Sequence, residues 1–149
     1  MRAVVQIVRD CRVTVASELI GTLDKGLLVY LGVSGKDNDA DIEYVSTKVV
    51  NLRIFPDEND KMNKSVKDSG EGIMVISQFT LYGDIRRGRR PSYDEAASPG
   101  VAEKLYTAFL DKLRDMGFSP AAGKFQANMD VSYINRGPVT ILVDSEKKF

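Results

Sequence analysis

The chain contains no histidine, so the residues able to do chemistry are hydroxyls, carboxylates, arginines and main-chain groups. Ser-His-Asp and Cys-His hydrolase sites are excluded, and the usual zinc sites lose their ligands. Hydroxyls gather in Ser77-Gln78-Phe79-Thr80-Leu81, at the end of an apolar run. On spacing alone Ser77 and Thr80 read as turn-capping hydroxyls before they read as catalytic ones. A Thr80 nucleophile would need a base that no histidine can supply. A second segment, Asn135-Arg136-Gly137-Pro138-Val139-Thr140, also ends an apolar run, and its Gly-Pro pair reads as a tight turn between two strands. Arg86-Arg87-Gly88-Arg89-Arg90-Pro91 is the only strong basic cluster, either a solvated loop or a contact for phosphate. Asp37, Asp39 and Asp41 alternate as an all-carboxylate magnesium or calcium site would. They lack a calcium-loop glycine, however, and acidic residues at a helix start already favour its dipole. No metal and no cofactor is expected.

These segments need elements to position them. A length of 149 residues fits one domain, 1–149, able to bury about 70% of its unfolded surface. Lysines and arginines number 21, as do aspartates and glutamates, so any RNA contact must rest on a local patch. Cys11 stands alone in a strand-like run, which excludes a disulfide within the chain and suits a buried, inert thiol. The N-terminal apolar run is too short for a signal peptide, and no stretch approaches a membrane span of roughly 20 residues. A cytoplasmic protein is expected.

Ala3 to Val8, Arg12 to Ala16 and Leu27 to Val33 read as strands. Ile42, Val45, Val49 and Leu52 recur at helical spacing after the capping candidates Asn38 and Asp39. Asp57 to Gly72 suits an exposed loop with a hairpin around Asn59-Asp60, and Ile73 to Ser77 a buried strand. A second helix is predicted from Ser98 as N-cap and Pro99 at its first position to Gly117. Phe125 to Tyr133 and Val139 to Val143 close the list of strands. The order fits a single α/β domain with a mixed sheet.

The two hydroxyl and Gly-Pro segments, in this order and at this distance from the C-terminus, resemble those of the D-aminoacyl-tRNA deacylase (D-tyrosyl-tRNA(Tyr) deacylase) family. The likeness runs from Arg2 to Asp144, with further blocks at Gly26-Leu27-Leu28-Val29, Asn51-Leu52-Arg53-Ile54-Phe55, Lys61-Met62-Asn63 and Arg89-Arg90-Pro91-Ser92. The resemblance implies mixed sheets in a β/β/α layered arrangement that works as a homodimer. It implies hydrolysis of the ester of D-aminoacyl-tRNA, and of glycyl-tRNA mischarged on tRNA(Ala), in proofreading. Ser77, Gln78, Phe79 and Thr80 would line the catalytic pocket, with the N–H groups of Gln78, Phe79 and Thr80 as an oxyanion hole. The substrate's own ribose 2′-hydroxyl would activate water, which accounts for the missing side-chain base. Gly137 and Pro138, joined by a cis bond, would reach into the partner's pocket and, with Met129 and Asn135, bind substrate and exclude L-side chains. Arg87, Arg89 and Arg90 would hold the tRNA acceptor end.

Three positions depart from the family pattern. Ile7 stands where arginine usually helps to hold the Gly-Pro segment, Arg136 where an acidic residue is usual, and Asn128 where aspartate is typical. Arg136 is a candidate to replace the missing arginine. Competing readings are the sister family that removes L-alanine from tRNA, whose strand motif is Pro-Gln-Ala-Thr, a non-catalytic RNA-binding module, and an unrelated metal-free esterase.

Overall fold

The computed structural model describes residues 1–148, apart from the side chain of Pro138. Strand β1 (Arg2–Val15) and strand β2 (Glu18–Gly32) form a long antiparallel hairpin. The two residues between them, Ala16 and Ser17, both have positive φ, as a hairpin turn that follows the strand twist requires. Ala3 to Val8 and Arg12 to Ala16 are therefore one strand, not two. A bulge at Asp10, φ 52°, absorbs the irregularity that breaks the apolar pattern. The polar, glycine-containing stretch Glu18 to Lys25 gave no strand signal, yet it pairs with the second half of β1.

Helix α1 (Asp39–Asn51) opens with a capping box: the Asn38 side chain accepts from Ala40 N–H at 2.9 Å, and the Asp41 carboxylate accepts from Asn38 N–H at 2.9 Å. Ile42, Val45 and Val49 face inward as expected. Two of the three alternating aspartates are thus already engaged. Asp41 caps the helix, and Asp37 accepts from the Met1 ammonium and from Ser34 N–H at 2.7 Å. Burial pushes the Asp37 carboxyl up, while the ammonium and Ser34 pull it down.

Strands β3 (Phe55–Pro56) and β4 (Met62–Lys64) make the small hairpin expected around Asn59-Asp60. The short helix α2 (Val66–Ser69), capped by Ser65, interrupts what reads in sequence as loop. Strand β5 (Gly72–Ser77) runs parallel to β2, and a 3-10 turn (Phe79–Tyr82) follows it. Helix α3 (Pro99–Asp115) begins at Pro99, and the chain leaves it through Gly117 at φ 91°. Ser98 is its N-cap by position but makes no side-chain capping bond. Strand β6 (Ala121–Ala122) adds to β5, and strand β7 (Asp130–Asp144) lies antiparallel to β1. The last two expected strands are a single one. The Gly-Pro segment is a bulge within it, not a turn, and Phe125 to Asn128 is a turn with Gln126 at φ 58°.

The main sheet has the order β6-β5-β2-β1-β7, mixed in direction, within one α/β domain. Alternation along its strands fills both faces. Leu27, Val29, Ile73 and Val75 meet Phe109 and Leu113 of α3 on the helical side, while Leu28, Met74 and Ile76 join Val8, Cys11 and Val13 on the other. Burial on both faces explains why Leu27 to Leu31 is a continuous apolar run. Among the described residues no helix is long and apolar enough to cross a membrane.

Candidate active site

The parallel ladder between β2 and β5 continues one residue past Ser77, since Gln78 N–H donates to Leu31 O at 2.7 Å. That N–H is spent, which removes Gln78 from the three main-chain donors expected. The first N–H groups of a helix have no acceptor within it. In the 3-10 turn Leu81 N–H returns to Gln78 O and Gly83 N–H to Thr80 O, which leaves Phe79 and Thr80 at the open end. The Thr80 hydroxyl accepts from the Gln78 side-chain amide, and no base faces it among the hydrogen bonds of the described residues.

Close approach from three sides fixes this turn. A Cβ at Gly32 would stand 3.0 Å from Gln78 O and 3.0 Å from Leu81 Cβ; one at Gly83 would stand 3.1 Å from Thr80 O. From β1, Arg2 donates to Leu81 O at 3.0 Å and to the buried Asp144 carboxylate at 3.0 Å. Its guanidinium also lies 4.4 Å from the Tyr82 ring centroid. One side chain thereby ties the turn to both β1 and β7.

Beside the turn opens a cleft of about 630 Å³. Its floor is the end of β2 and β5, with Leu31, Val33, Ile76, Ser77, Gln78 and Phe79; its walls are the start of α3 and the Phe125 to Met129 loop. Ala97 N–H donates to Val33 O at 2.9 Å, which pins the segment carrying Tyr93, Ala96 and Ala97 along the rim. Tyr106 reaches the cleft from α3, but its hydroxyl donates to Val75 O at 2.8 Å, and burial pushes it up to about 12. It is held protonated and occupied, unsuited to moving a proton near neutral pH. Phe79 and Tyr93 meet edge to face at 5.0 Å between centroids on the rim.

Of the residues singled out in sequence, Ser77, Gln78, Phe79 and Met129 line this cleft, as does the departing Asn128. Thr80 follows them on the exposed side of the turn. Asn135 and Gly137 do not line it. They belong to β7, separated from β5 by β2 and β1, roughly 14 Å across the sheet at ordinary strand spacing. Here β1 has Gln6 opposite Thr140 and Val8 opposite Asn135, so Ile7 alone faces four residues of β7. Gly137 takes φ 135° at this bulge, and the Asn135 amide donates to Ile7 O at 3.0 Å and Val139 O at 3.2 Å. The Pro138 side chain falls outside the described residues.

The arginine cluster divides. Arg86 is locked on Asp84, whose carboxyl is held at about 2 mainly by that pairing. Arg87, Arg89 and Arg90 are exposed and have no carboxylate partner among the described residues. Sequence reasoning missed Tyr93, Ala97, Pro99, Ala102, Tyr106 and Phe125 as cleft residues.

The family model described as D-Tyr-tRNA(Tyr) deacylase matches residues 4–144. The chain is 51% identical over its full length to a D-aminoacyl-tRNA deacylase of Symbiobacterium thermophilum, covering 99% of that protein. It is 54% identical to one of Syntrophobacter fumaroxidans, covering both chains completely. Among solved structures, the c-Myc DNA Unwinding Element Binding Protein superposes with a TM-score of 0.91 at 39% identity over 97% of this chain and 98% of that one. A probable eukaryotic D-amino acid tRNA deacylase superposes at 0.80 and 16% identity over 95% and 97%, which speaks for the fold alone. With the cleft built on the Ser77–Thr80 segment and a match that runs nearly end to end, the chain belongs to the D-Tyr-tRNA(Tyr) deacylase family.

Proposed function

We propose that this protein hydrolyses the ester of D-aminoacyl-tRNA, releasing the free D-amino acid and tRNA. The observation that carries the reading is the open start of the 3-10 turn beside the cleft, in a family of this activity. An ester carbonyl under attack develops a negative oxygen, and preorganised main-chain donors stabilise it by roughly 3–4 kcal/mol without an ionisable side chain. The N–H groups of Phe79 and Thr80 supply those donors. Water is activated by the neighbouring 2′-hydroxyl of the substrate ribose, already positioned beside the carbonyl.

Thr80→Ala should then remain substantially active, while a substrate ending in 2′-deoxyadenosine should be poor. The reverse pair of results would make Thr80 the nucleophile. A first assay uses metal-chelated protein with D-tyrosyl-tRNA, L-tyrosyl-tRNA and glycyl-tRNA. Cleavage of the D- and glycyl esters with the L-ester spared is expected; failure to cleave the D-ester would overturn the reading.

Discrimination is by exclusion. The Gly137-Pro138 segment of a second copy enters the cleft, its carbonyls meet the α-amino group, and its backbone occupies the space an L-side chain would need. Glycine has nothing to exclude, which predicts leakage on glycyl-tRNA. An apolar side-chain pocket would discriminate by only about 1–3 kcal/mol per methylene, too little against abundant L-esters. Support for the second copy comes from β7, an edge strand with Ile134 at 45% and Leu142 at 54% exposure. Arg87, Arg89 and Arg90 contact phosphates of the acceptor end. Arg89→Ala with Arg90→Ala should raise KM and flatten its salt dependence; no change in either would remove them from the interface.

A further inference from the structure

We propose that Gln6 is a positioning residue that straps the Gly137 bulge and thereby sets how strictly L-esters are refused. This rests on the exclusion reading above. Where four residues of β7 oppose Ile7 alone, the β1–β7 ladder is interrupted, and an interrupted ladder leaves a bulge free to flex unless side chains span it. Gln6 spans it. Its amide accepts from the Tyr133 hydroxyl at 2.9 Å and donates to the Thr140 hydroxyl at 2.9 Å. Tyr133 precedes the bulge and Thr140 follows it, so both flanks are fastened to one side chain of the neighbouring strand.

The two other candidates for this duty are placed differently. Ile7 is 5% exposed and buried in the core on the helical side of the sheet, with no polar atom to offer the bulge. Arg136, the expected replacement for the missing arginine, is exposed and makes no side-chain hydrogen bond or ion pair among the described residues. The Asn135 amide grips the bulge from inside, through Ile7 O and Val139 O. Gln6 is the residue that holds its two ends at a fixed separation. Because neither of its hydrogen-bond partners lines the cleft, its loss should affect the barrier to L-substrates more than the hydrolytic step.

The test compares full-length wild type, Gln6→Leu, which keeps the bulk and removes both bonds, and Thr140→Val, which removes one. Two readouts are taken: the ratio of kcat/KM on D- and L-tyrosyl-tRNA, and amide exchange at Asn135, Arg136, Gly137 and Val139. Two lost hydrogen bonds predict a ratio lowered about tenfold in Gln6→Leu, with a smaller fall in Thr140→Val and faster exchange confined to the bulge. An unchanged ratio with unchanged exchange overturns the proposal. So does a parallel loss on both esters that follows a lowered Tm, since that marks a merely structural role. If wild-type protein itself fails to discriminate, the exclusion reading falls. The exchange data then decide alone: faster exchange at the bulge upholds the strap, and unchanged exchange rejects it.

Discussion

The Phe79–Tyr82 turn is held by its own chain from three sides, through the β2 ladder, the Arg2 clamp and the close backbones at Gly32 and Gly83. The Gly137 bulge is held from one side only, by β1, and its other edge is open. In the proposed function both act through the main chain. Their difference is one of ownership. On the proposed function, a group that meets a developing charge loses effect when misplaced by an ångström, and the turn is the part fixed within the fold. On the same reading, a segment proposed to occupy space in another copy has to project from the molecule, and an edge strand is where a chain can do that.

The sharpest way to break the comparison is to disturb the turn from behind. Gly32→Val drives a side chain against Gln78 O and Leu81, and kcat on D-tyrosyl-tRNA should fall on the order of 100-fold while KM changes little. Steady-state kinetics on folded variant protein would show it. Next, Ile134→Lys with Leu142→Lys charges the β7 edge. Light scattering should report a single copy whose Tm is little altered and whose refusal of L-tyrosyl-tRNA is lost. Retained refusal by that monomer would mean the bulge acts elsewhere. Arg2→Lys keeps the charge near Asp144 but cannot also reach Leu81 O, and should lower kcat by roughly tenfold without altering the D/L ratio. Gly137→Ala places a Cβ 2.6 Å from Val139 N at φ 135° and should cost about 1–3 kcal/mol of local strain, seen as lost discrimination with a modest fall in Tm.

The smallest effect concerns neither region and serves as a control on the core between them. Burial pushes the Cys11 thiol from 9.0 up to about 11. At pH 8 the native protein should hold about 100-fold less thiolate than the unfolded chain and resist alkylation accordingly. The folded pKa lies above the unfolded one, so this contribution to stability is intact below pH 9 and is lost as pH rises towards 11. Rapid alkylation of native protein at pH 8 would show the sheet to be looser than its packing indicates.

Helix α1, helix α3 and strand β5 were legible because each carries its own period and stop signal: Asn38 and the Ile42, Val45, Val49 face; Pro99 and Gly117; the apolar run ending at Ser77. The continuity of β1 and β7 was not. In both, a bulge breaks the alternation: Asp10 falls between two expected strands and Gly137 reads locally as a turn, although the partner strand carries pairing past them. The Ser77–Thr80 segment stands out by its motif and Ser77 to Phe79 line the cleft, but the pairing of Gln78 N–H with Leu31 was not legible, because it depends on a strand distant in the chain. The rest of the cleft was hidden for the same reason. Ala97, Pro99 and Tyr106 are apolar or small residues whose role is to bound a space, and a boundary has no sequence signature of its own.

The two edges of the main sheet have unequal exposure to runaway growth. At one edge β6 is two residues long, too short to template anything. At the other, β7 offers fifteen residues of open ladder, the kind of surface on which strands stack into fibrils. The kink at Gly137 interrupts that ladder near its middle. A flat strand could therefore not extend along the whole edge in register, and a sequence that straightened the kink would open the full edge to indefinite stacking.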